Sequence, residues 1–409
     1  MQKEQFFDIG KRMKTAIIGG GAAGFFVAIN LKEMMPEMEV TIFERAQRVL
    51  AKVEISGGGR CNCTNSFAGV SDLSHVYPRG HRLMKRLMKQ FDQHDAYDWF
   101  ERHGVPLVTQ ADECVFPASQ DSHSIINCFL REASRLGVKI CKGMKITELK
   151  DLVEFDYIVV TTGGMPRSIA QNATPRGLFE GVEMVPPVPS LFTFNIADEA
   201  LRGLMGTVVE GVTVMIPGTK MRASGALLVT HWGMSGPAIL RLSSYAARLL
   251  AEHEYRLPMI VNWTGRTEDE VRAELASIIM HHPQKQLATV RPFGLPSRLW
   301  NYLLEKCLGG RSVSRWIHLN KKEVNRLVNV LLLDQYEING RAAFKDEFVT
   351  CGGVSLACLN ASTLEFADGK SPRRFFAGEV LDVDGVTGGF NFQAAWTTGF
   401  AVAKAIAGC

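Results

Sequence analysis

The sequence predicts an α/β fold: one α/β domain built from both ends of the chain, interrupted by an insert with a β part and a helical part. The chain opens on a strand, a glycine turn, a helix and a second strand, the pattern of a βαβ unit. From Pro186-Pro187-Val188-Pro189 onward it changes, first to alternating β-branched and small residues, then to helical periodicity. Glycine-rich strand-and-turn character returns from about residue 345 and ends in an apolar helix.

Lys14–Gly19 reads KTAIIG, a short run of β-formers. Phe25 to Met35 has helical apolar content and stops at Pro36, and Glu39–Glu44 (EVTIFE) is the second strand. Residues 81–103 read as one amphipathic helix, with Leu83, Leu87, Phe91, Tyr97 and Phe100 among charges. Ser124–Gly137 is another helix, closed by its glycine. Asp156–Thr161 (DYIVVT) is a strand buried on both faces. In the insert, Val208–Ile216 reads as antiparallel strand, and Glu268–Met280, Ser297–Leu308 and Lys321–Leu333 as helices. The last helix is Phe392–Ile406. This divides the chain into 1–190 and 341–409 for the split domain, 191–266 for the β part and 267–340 for the helical part.

Apolar residues make up 46% and charged residues 22%, the balance of a globular chain with a full core. The longest charge-free runs, Thr15–Leu31 and Gly385–Ala403, are interrupted by glycine or by Thr, Asn and Gln. They read as buried strand–turn–helix, so no membrane partner is expected. Residues 1–12 mix acids and bases and read as an extension the fold does not need. Nine cysteines, an odd number without CxxC spacing, point to reduced thiols in a cytoplasmic protein and to no metal site. The net charge is only +4, but two segments are strongly basic. Segment 79–90 holds Arg79, Arg82, Lys85, Arg86 and Lys89 with no acid; segment 285–326 holds nine Lys/Arg against Glu305 and Glu323. Each reads as a solvated helix face or as a footprint for a polyanion such as RNA.

Gly19-Gly20-Gly21-Ala22-Ala23-Gly24 contains G-x-G-x-x-G directly after a strand and at the start of a helix. Gly19 serves the tight turn, Gly21 the approach of a pyrophosphate, and Gly24 the packing of helix on strand. The helix N-terminus offers free N–H groups to the phosphates. Glu44, twenty residues past Gly24, stands where an acid accepts from ribose hydroxyls. It disfavours a 2′-phosphate, which Arg45 beside it softens. Three later features favour FAD over NAD. Ser56–Asn65 (SGGGRCNCTN) is a second glycine cluster containing Gly58, Gly59 and Arg60. Val159–Gly164 ends a buried strand in Thr162 and Gly163. Phe375–Glu379 runs into Gly378-Glu379, followed by Gly388-Gly389-Phe390-Asn391-Phe392-Gln393 at the head of the last helix. A large two-ended cofactor needs such a second binding point far along the chain. The helix start near Asn391 aims N–H groups at the isoalloxazine edge, where negative charge develops on reduction.

The sequence resembles the HI0933-like family of bacterial FAD-dependent oxidoreductases. The marks are SGGGRCNCTN at 56–65, PPVPSLFTF at 186–194, THWGMSGPAIL at 230–240, VTCGGVSL at 349–356 and FAGEVLDVDGVTGGFNFQAAWTTG at 376–399. The resemblance implies a glutathione-reductase-like (Rossmann-type) FAD domain split by an insert with a β-barrel-like and a helical part. It also implies that Gly21, Ala22, Glu44, the glycines before Arg60, Gly378, Glu379 and Asn391 contact FAD. The chain departs from the family after Gly164, where it reads MPRSIAQNATPRGLFEG. Roles proposed in the family include oxidation of small amino-ketones, reduction of steroid-type substrates and reduction of a uridine in ribosomal RNA.

The expected activity is hydride transfer between FAD and a substrate held between the FAD domain and the insert. Only one G-x-G-x-x-G is present, so NAD(P)H, if it is the electron donor, comes from outside without a domain of its own. The substrate is a small molecule or a uridine of ribosomal RNA; the remaining alternative is a non-catalytic flavin-holding module. Cys61, beside Arg60, is a candidate redox thiolate paired with Cys63, against a packing role for both. Arg60 is read as touching a flavin carbonyl or a substrate anion, or as forming a salt bridge. His231 is a candidate acid/base, against a satisfied core histidine.

Overall fold

In the computed structural model the described residues are 12–164, 177–342, 349–366 and 373–408. All but the last residue of the extension at 1–12 and most of the stretch that departs from the family, 165–176, lie outside them. The chain divides into two compact units, 1–188 with 349–409 and 189–348.

The first unit is built on a six-stranded sheet in the order Glu365–Phe366, Arg373–Phe376, Tyr157–Val160, Lys14–Ile18, Glu39–Glu44, Lys139–Lys142. Five strands run parallel and Glu365–Phe366 is an antiparallel edge. Ile17 faces Ile42 across one ladder and Val159 across the other. Central parallel strands are covered on both faces, so KTAII and YIVV are continuously apolar rather than alternating. Phe376 pairs with Val160. The two ends of the polypeptide therefore share one sheet, as the sequence predicts.

Helix Ala22–Met34 packs on the C-terminal helix Phe390–Ala407. Gly399 permits the approach: a Cβ there would stand 3.3 Å from Ala23 O. The Phe26 ring lies 4.8 Å from Trp99 and 5.2 Å from Trp396, between centroids. Every residue from Gln393 to Gly399 is buried, which accounts for the charge-free run as a core helix. Among the described residues no helix is long and apolar enough to cross a membrane.

The stretch read as one helix over 81–103 is two, His81–Leu87 and Gln93–Arg102. Asp92 interrupts it. Its side chain accepts from the His94 and Asp95 N–H groups while Asp95 accepts from the Asp92 N–H. The apolar period carries through this break; the reciprocal acidic cap starts a new helix.

The second unit contains a closed antiparallel barrel. Its strands run Val208–Met215, Arg222–Val229, Gly233–Ser235, Phe194–Ile196, Asp334–Arg341 and Arg256–Asn262, the last pairing with the first. Val212, Leu227, Met259 and Ile338 are fully buried in its core. Helices Glu268–His281, Ser297–Leu308 and Lys321–Leu332 come between its last two strands in sequence. Asp334–Arg341, inside the stretch read as helical, is a strand: Asp334, Tyr336 and Ile338 are buried and Gln335, Glu337 and Asn339 exposed. The period of two was hidden because its buried positions include an aspartate and a tyrosine.

Asp334 can be buried because its carboxylate is satisfied. Oδ2 accepts from Trp263 Nε1 at 2.9 Å and Tyr336 OH at 2.6 Å, and Oδ1 pairs with Lys306 Nζ at 2.6 Å. Burial and this carboxylate push the Tyr336 hydroxyl far above its ordinary value. Asp334→Ala leaves Lys306 and two buried donors without their acceptor, so it should cost about 3 kcal/mol. Chemical denaturation would show this, and an unchanged unfolding midpoint would contradict it.

Candidate functional site

The glycines between the first strand and the first helix differ in what fixes them. Gly19 has φ +119°, and a Cβ there would lie 2.3 Å from Thr161 O. A Cβ on Gly24 would lie 2.1 Å from Gly19 O. Both are required by the packing of strand, turn and helix. Gly20 donates its N–H to Glu44 Oε2 at 2.8 Å, and a Cβ there would meet Val49 Cγ1 at 2.9 Å. Gly21 is the helix N-cap, and nothing lies within 4 Å of the position its Cβ would take. The chain itself gives no reason for a glycine there. A ligand approaching the helix N-terminus does, and no side chain caps that N-terminus.

Glu44 ends the second strand and folds toward this turn. Oε2 accepts from Gly20 N and Oε1 from Ala46 N, both at 2.8 Å. A carboxylate has about four acceptor positions, so two backbone donors fix its orientation and leave capacity for ribose hydroxyls. Arg45 beside it is exposed.

The later segments arrive at the same end of the sheet, outside the carboxyl ends of Lys14–Ile18, Tyr157–Val160 and Arg373–Phe376. Gly378, at φ +78°, comes so close to the first helix that a Cβ would stand 2.7 Å from Ala23 Cβ. Its N–H donates to Thr398 Oγ1 at 3.0 Å. Glu379 accepts from Thr350 N at 2.9 Å through Oε1 and pairs with Lys52 Nζ at 2.6 Å through Oε2. A Cβ on Gly163 would be 3.9 Å from Glu379 Oε2, and one on Gly164 would be 2.2 Å from Thr350 Oγ1. Thr162 is exposed. Thr161 Oγ1 donates to Gly19 O at 2.9 Å, joining this strand end to the glycine turn.

The second glycine cluster ends the helix that starts at Ala51. Gly57, Gly58 and Gly59 are all left-handed, at φ 56°, 70° and 85°. Gly57 is held against Asn62 N, while Gly58 and Gly59 have nothing within 4 Å of a Cβ. Arg60 is stacked 4.2 Å from the Phe116 ring centroid, with bonds to Gly57 O at 3.1 Å and Gln120 Oε1 at 3.3 Å. It has no acidic partner among the described residues, which sets aside the salt-bridge reading.

This cluster is stapled to the C-terminal helix. Trp396 Nε1 donates to Cys63 O at 2.7 Å, Thr64 Oγ1 to Gln393 Oε1 at 2.6 Å, and Asn65 Nδ2 to Gly388 O at 3.0 Å. Gly389, at φ +90°, caps the helix without a side-chain bond, and a Cβ there would hit Thr64 O at 2.1 Å. The Asn391 amide closes the loop before it, accepting from Gly385 N at 2.8 Å and donating to Gly385 O at 2.9 Å. What Asn391 has to offer a ligand is thus its backbone N–H, in an uncapped first turn it shares with Phe392, whose ring stacks on Trp396.

The redox reading of Cys61 does not survive this geometry. Cys61 is fully buried, and desolvation pushes its thiol up to about 12. Desolvation raises Cys63 as well, and the neighbouring Cys61 adds to it. Both thiols are free. The cation meant to favour a thiolate, Arg60, is on Phe116 instead. His231 is exposed on the Thr230–Gly233 turn of the second unit, its ring centroid 4.6 Å from that of Trp232, so it is not a core histidine. The sequence reading missed Gly20, Lys52, Thr161, Thr350 and Thr398. Gly20 lies inside the motif but outside its spacing, Thr161, Thr350 and Thr398 lie inside quoted segments without having been singled out, and Lys52 belongs to no motif.

Gly21→Val should fold with an unchanged unfolding temperature yet retain at least tenfold less FAD, measured by flavin absorbance after gel filtration. Gly24→Val should lose the fold itself, since its side chain enters the Gly19 carbonyl. Equal behaviour of the two variants would sink this division of roles. Cys61, protonated at neutral pH, should escape iodoacetamide in the native protein and react only after unfolding, as read by peptide mass spectrometry.

Comparison with known proteins places these features. The model of the HI0933-like protein Rossmann domain matches residues 13–405. The ribosomal RNA dihydrouridine synthase of Haemophilus influenzae is 26% identical over 415 residues, covering 96% of this chain and 98% of its own. The enzyme of the same name from Escherichia coli is 28% identical over 413 residues, with 96% and 98% covered. A 3-dehydro-bile acid delta(4,6)-reductase of Clostridium scindens is 26% identical over 418 residues, with 96% and 99% covered. With its glycine turn, split sheet and barrel all inside the matched span, the chain belongs to the HI0933-like family, and it is an FAD-dependent oxidoreductase of that family.

Proposed function

We propose that this protein reduces a carbon–carbon double bond conjugated to a carbonyl, and that its substrate is a uridine in ribosomal RNA. The observation that carries the flavin part is the convergence of Gly19–Gly24, Glu44, Thr161–Gly164 and Gly378–Glu379 at one end of one sheet, with Gly21 left open. The relatives support the rest. Forming dihydrouridine saturates the ring double bond of uracil beside a carbonyl. A reductase of a 3-dehydro-bile acid acts on double bonds in conjugation with a ring ketone. Two of the relatives carry the RNA activity in their names and align over nearly their whole length.

FAD, when bound, supplies the hydride. The chain supplies the cradle. The uncapped N-terminus of Ala22–Met34 takes the pyrophosphate, and Glu44, held by two N–H groups, takes the adenosine ribose. The first turn of Phe390–Ala407 presents N–H groups that favour the negative charge of a reduced ring. Lys52 holds Glu379 in place and adds a second fixed charge at that end of the sheet. NAD(P)H is the proposed external electron donor. Ribosomal RNA as substrate puts the site of action in the cytoplasm, in keeping with eight free cysteines among the described residues. A small planar enone is the second reading, favoured by the match to the bile acid reductase.

The test is single-turnover reoxidation of the photoreduced protein under anaerobic conditions. Ribosomal RNA from cells lacking this gene should restore the flavin absorbance, and digestion should then show dihydrouridine by mass spectrometry. Reoxidation by a steroid enone and not by RNA would replace the first reading with the second. No reoxidation by either would leave a flavin-holding module.

A further inference from the structure

The two basic segments have different fates in the folded chain. In 285–326, Lys306 pairs with buried Asp334 and Arg311 with Glu323. Arg298 is spent on the carbonyls of Gly203 and Met205, Arg291 on Leu295 O, and Arg315 on Gln284. Those five are tied to the unit's own groups, two of them to acids, while Lys285, Lys321, Lys322 and Arg326 stay exposed. In 79–90, Arg79 forms an ion pair with fully buried Asp384. The other four, Arg82, Lys85, Arg86 and Lys89, are exposed and have no ion pair among the described residues.

Their spacing is three, four and seven residues, one stripe along helix His81–Leu87 and its closing turn. Leu83, Met84 and Leu87 bury the opposite face. Like charges at these spacings repel and destabilise an isolated helix. No acid is interleaved to relieve them: the nearest that follows, Asp92, is taken by the cap of the next helix. The stripe is also rigidly placed. Tyr77 OH donates to Phe390 O at 2.9 Å, and Gly80 is so close to Val383 that a Cβ would stand 2.5 Å from it. With Arg79 on Asp384, three successive contacts fasten the start of this helix to the loop that leads into Phe390–Ala407.

We propose that Arg82, Lys85, Arg86 and Lys89 form the surface on which the backbone of the substrate RNA lies. This rests on the reading of ribosomal RNA as the substrate and names which of the two basic segments holds it. The stripe is about 10 Å long at 1.5 Å per residue, which spans about three phosphates of a stacked strand. Phosphate contacts of this kind set register and carry no sequence. A strand held here runs beside the loop 383–389 of the same unit.

The experiment measures binding of fluorescein-labelled ribosomal RNA fragments to the FAD-loaded protein by anisotropy across a potassium chloride titration. Replacing Arg82, Lys85, Arg86 and Lys89 by Gln should weaken binding at least tenfold at low salt. It should also flatten the slope of log affinity against log salt by about 2, the share of three phosphate contacts on one strand. Flavin content should be unchanged. The pair Lys85→Gln with Lys89→Gln should remove about half of that slope, and it decides the matter if the fourfold variant loses its flavin. Lys321→Gln, Lys322→Gln and Arg326→Gln in the second unit are the comparison set and should leave the slope nearly intact. An unchanged slope in the stripe variants, or a larger loss in the comparison set, overturns the proposal while RNA binding itself stands. A wild-type protein that binds no RNA at any salt refutes the substrate reading and the stripe with it. Weakened binding to phosphatidylglycerol vesicles without a change on RNA assigns the stripe to a lipid surface and overturns the proposal.

Discussion

The contact between Gly24 and the carbonyl of Gly19 governs this molecule. A hydrogen in place of a methyl group at Gly24 lets the first helix begin directly on top of the strand that precedes it. Thr161, from the neighbouring strand, donates to the same carbonyl, so strand, turn, helix and next strand meet around one oxygen atom. The N-terminus of Ala22–Met34 is thereby aimed out over the carboxyl ends of the sheet with its first N–H groups uncapped. The position of Glu44 follows as well, because its carboxylate is held by the Gly20 N–H in that turn.

The C-terminal segment completes the arrangement by close approach. Gly378 touches Ala23, Gly399 lies against the backbone of the same helix, and Gly389 fits under Thr64 O. A side chain would push the last helix from the first at Gly399, its start from the second glycine cluster at Gly389, and the Gly378 turn from the first helix. Trp396, Gln393 and Gly388 then bond to Cys63, Thr64 and Asn65, tying the second glycine cluster into the same wall. The fold thus brings uncapped helix N-termini from segments more than three hundred residues apart in the chain into the same unit.

Burial decides the chemistry of the side chains the motifs single out. Cys61 stands next to an arginine in sequence, and sequence adjacency argues for a thiolate. In space the thiol faces the core and the guanidinium lies on Phe116, so desolvation wins and the thiol stays protonated. Charge follows the same logic. Lys306 and Arg79 look like members of basic patches, but each compensates a buried aspartate. Arg82, Lys85, Arg86 and Lys89 are left uncompensated because their helix buries only its other face.

Much of this was legible in the sequence. G-x-G-x-x-G between a strand and a helix has few solutions, since only glycine tolerates the turn and the approach of helix to strand. The apolar runs KTAII and YIVV announced buried parallel strands, and the return of glycine-rich turns near the C-terminus announced that both ends share a sheet. The sequence missed features whose signal depends on partners distant in the chain. Asp334–Arg341 was hidden as a barrel strand because its buried aspartate is acceptable only beside Trp263, Tyr336 and Lys306. Lys52 carries no motif, Thr350 is unremarkable within its own, and both gain their roles from Glu379. Composition and local pattern thus determined the fold class, the glycine turn and the acid at the end of the second strand. Which charges are spent on the fold, which thiols are held protonated and which glycines have open space beside them were decided only by the tertiary structure, because each depends on desolvation and contact between segments the chain order does not bring together.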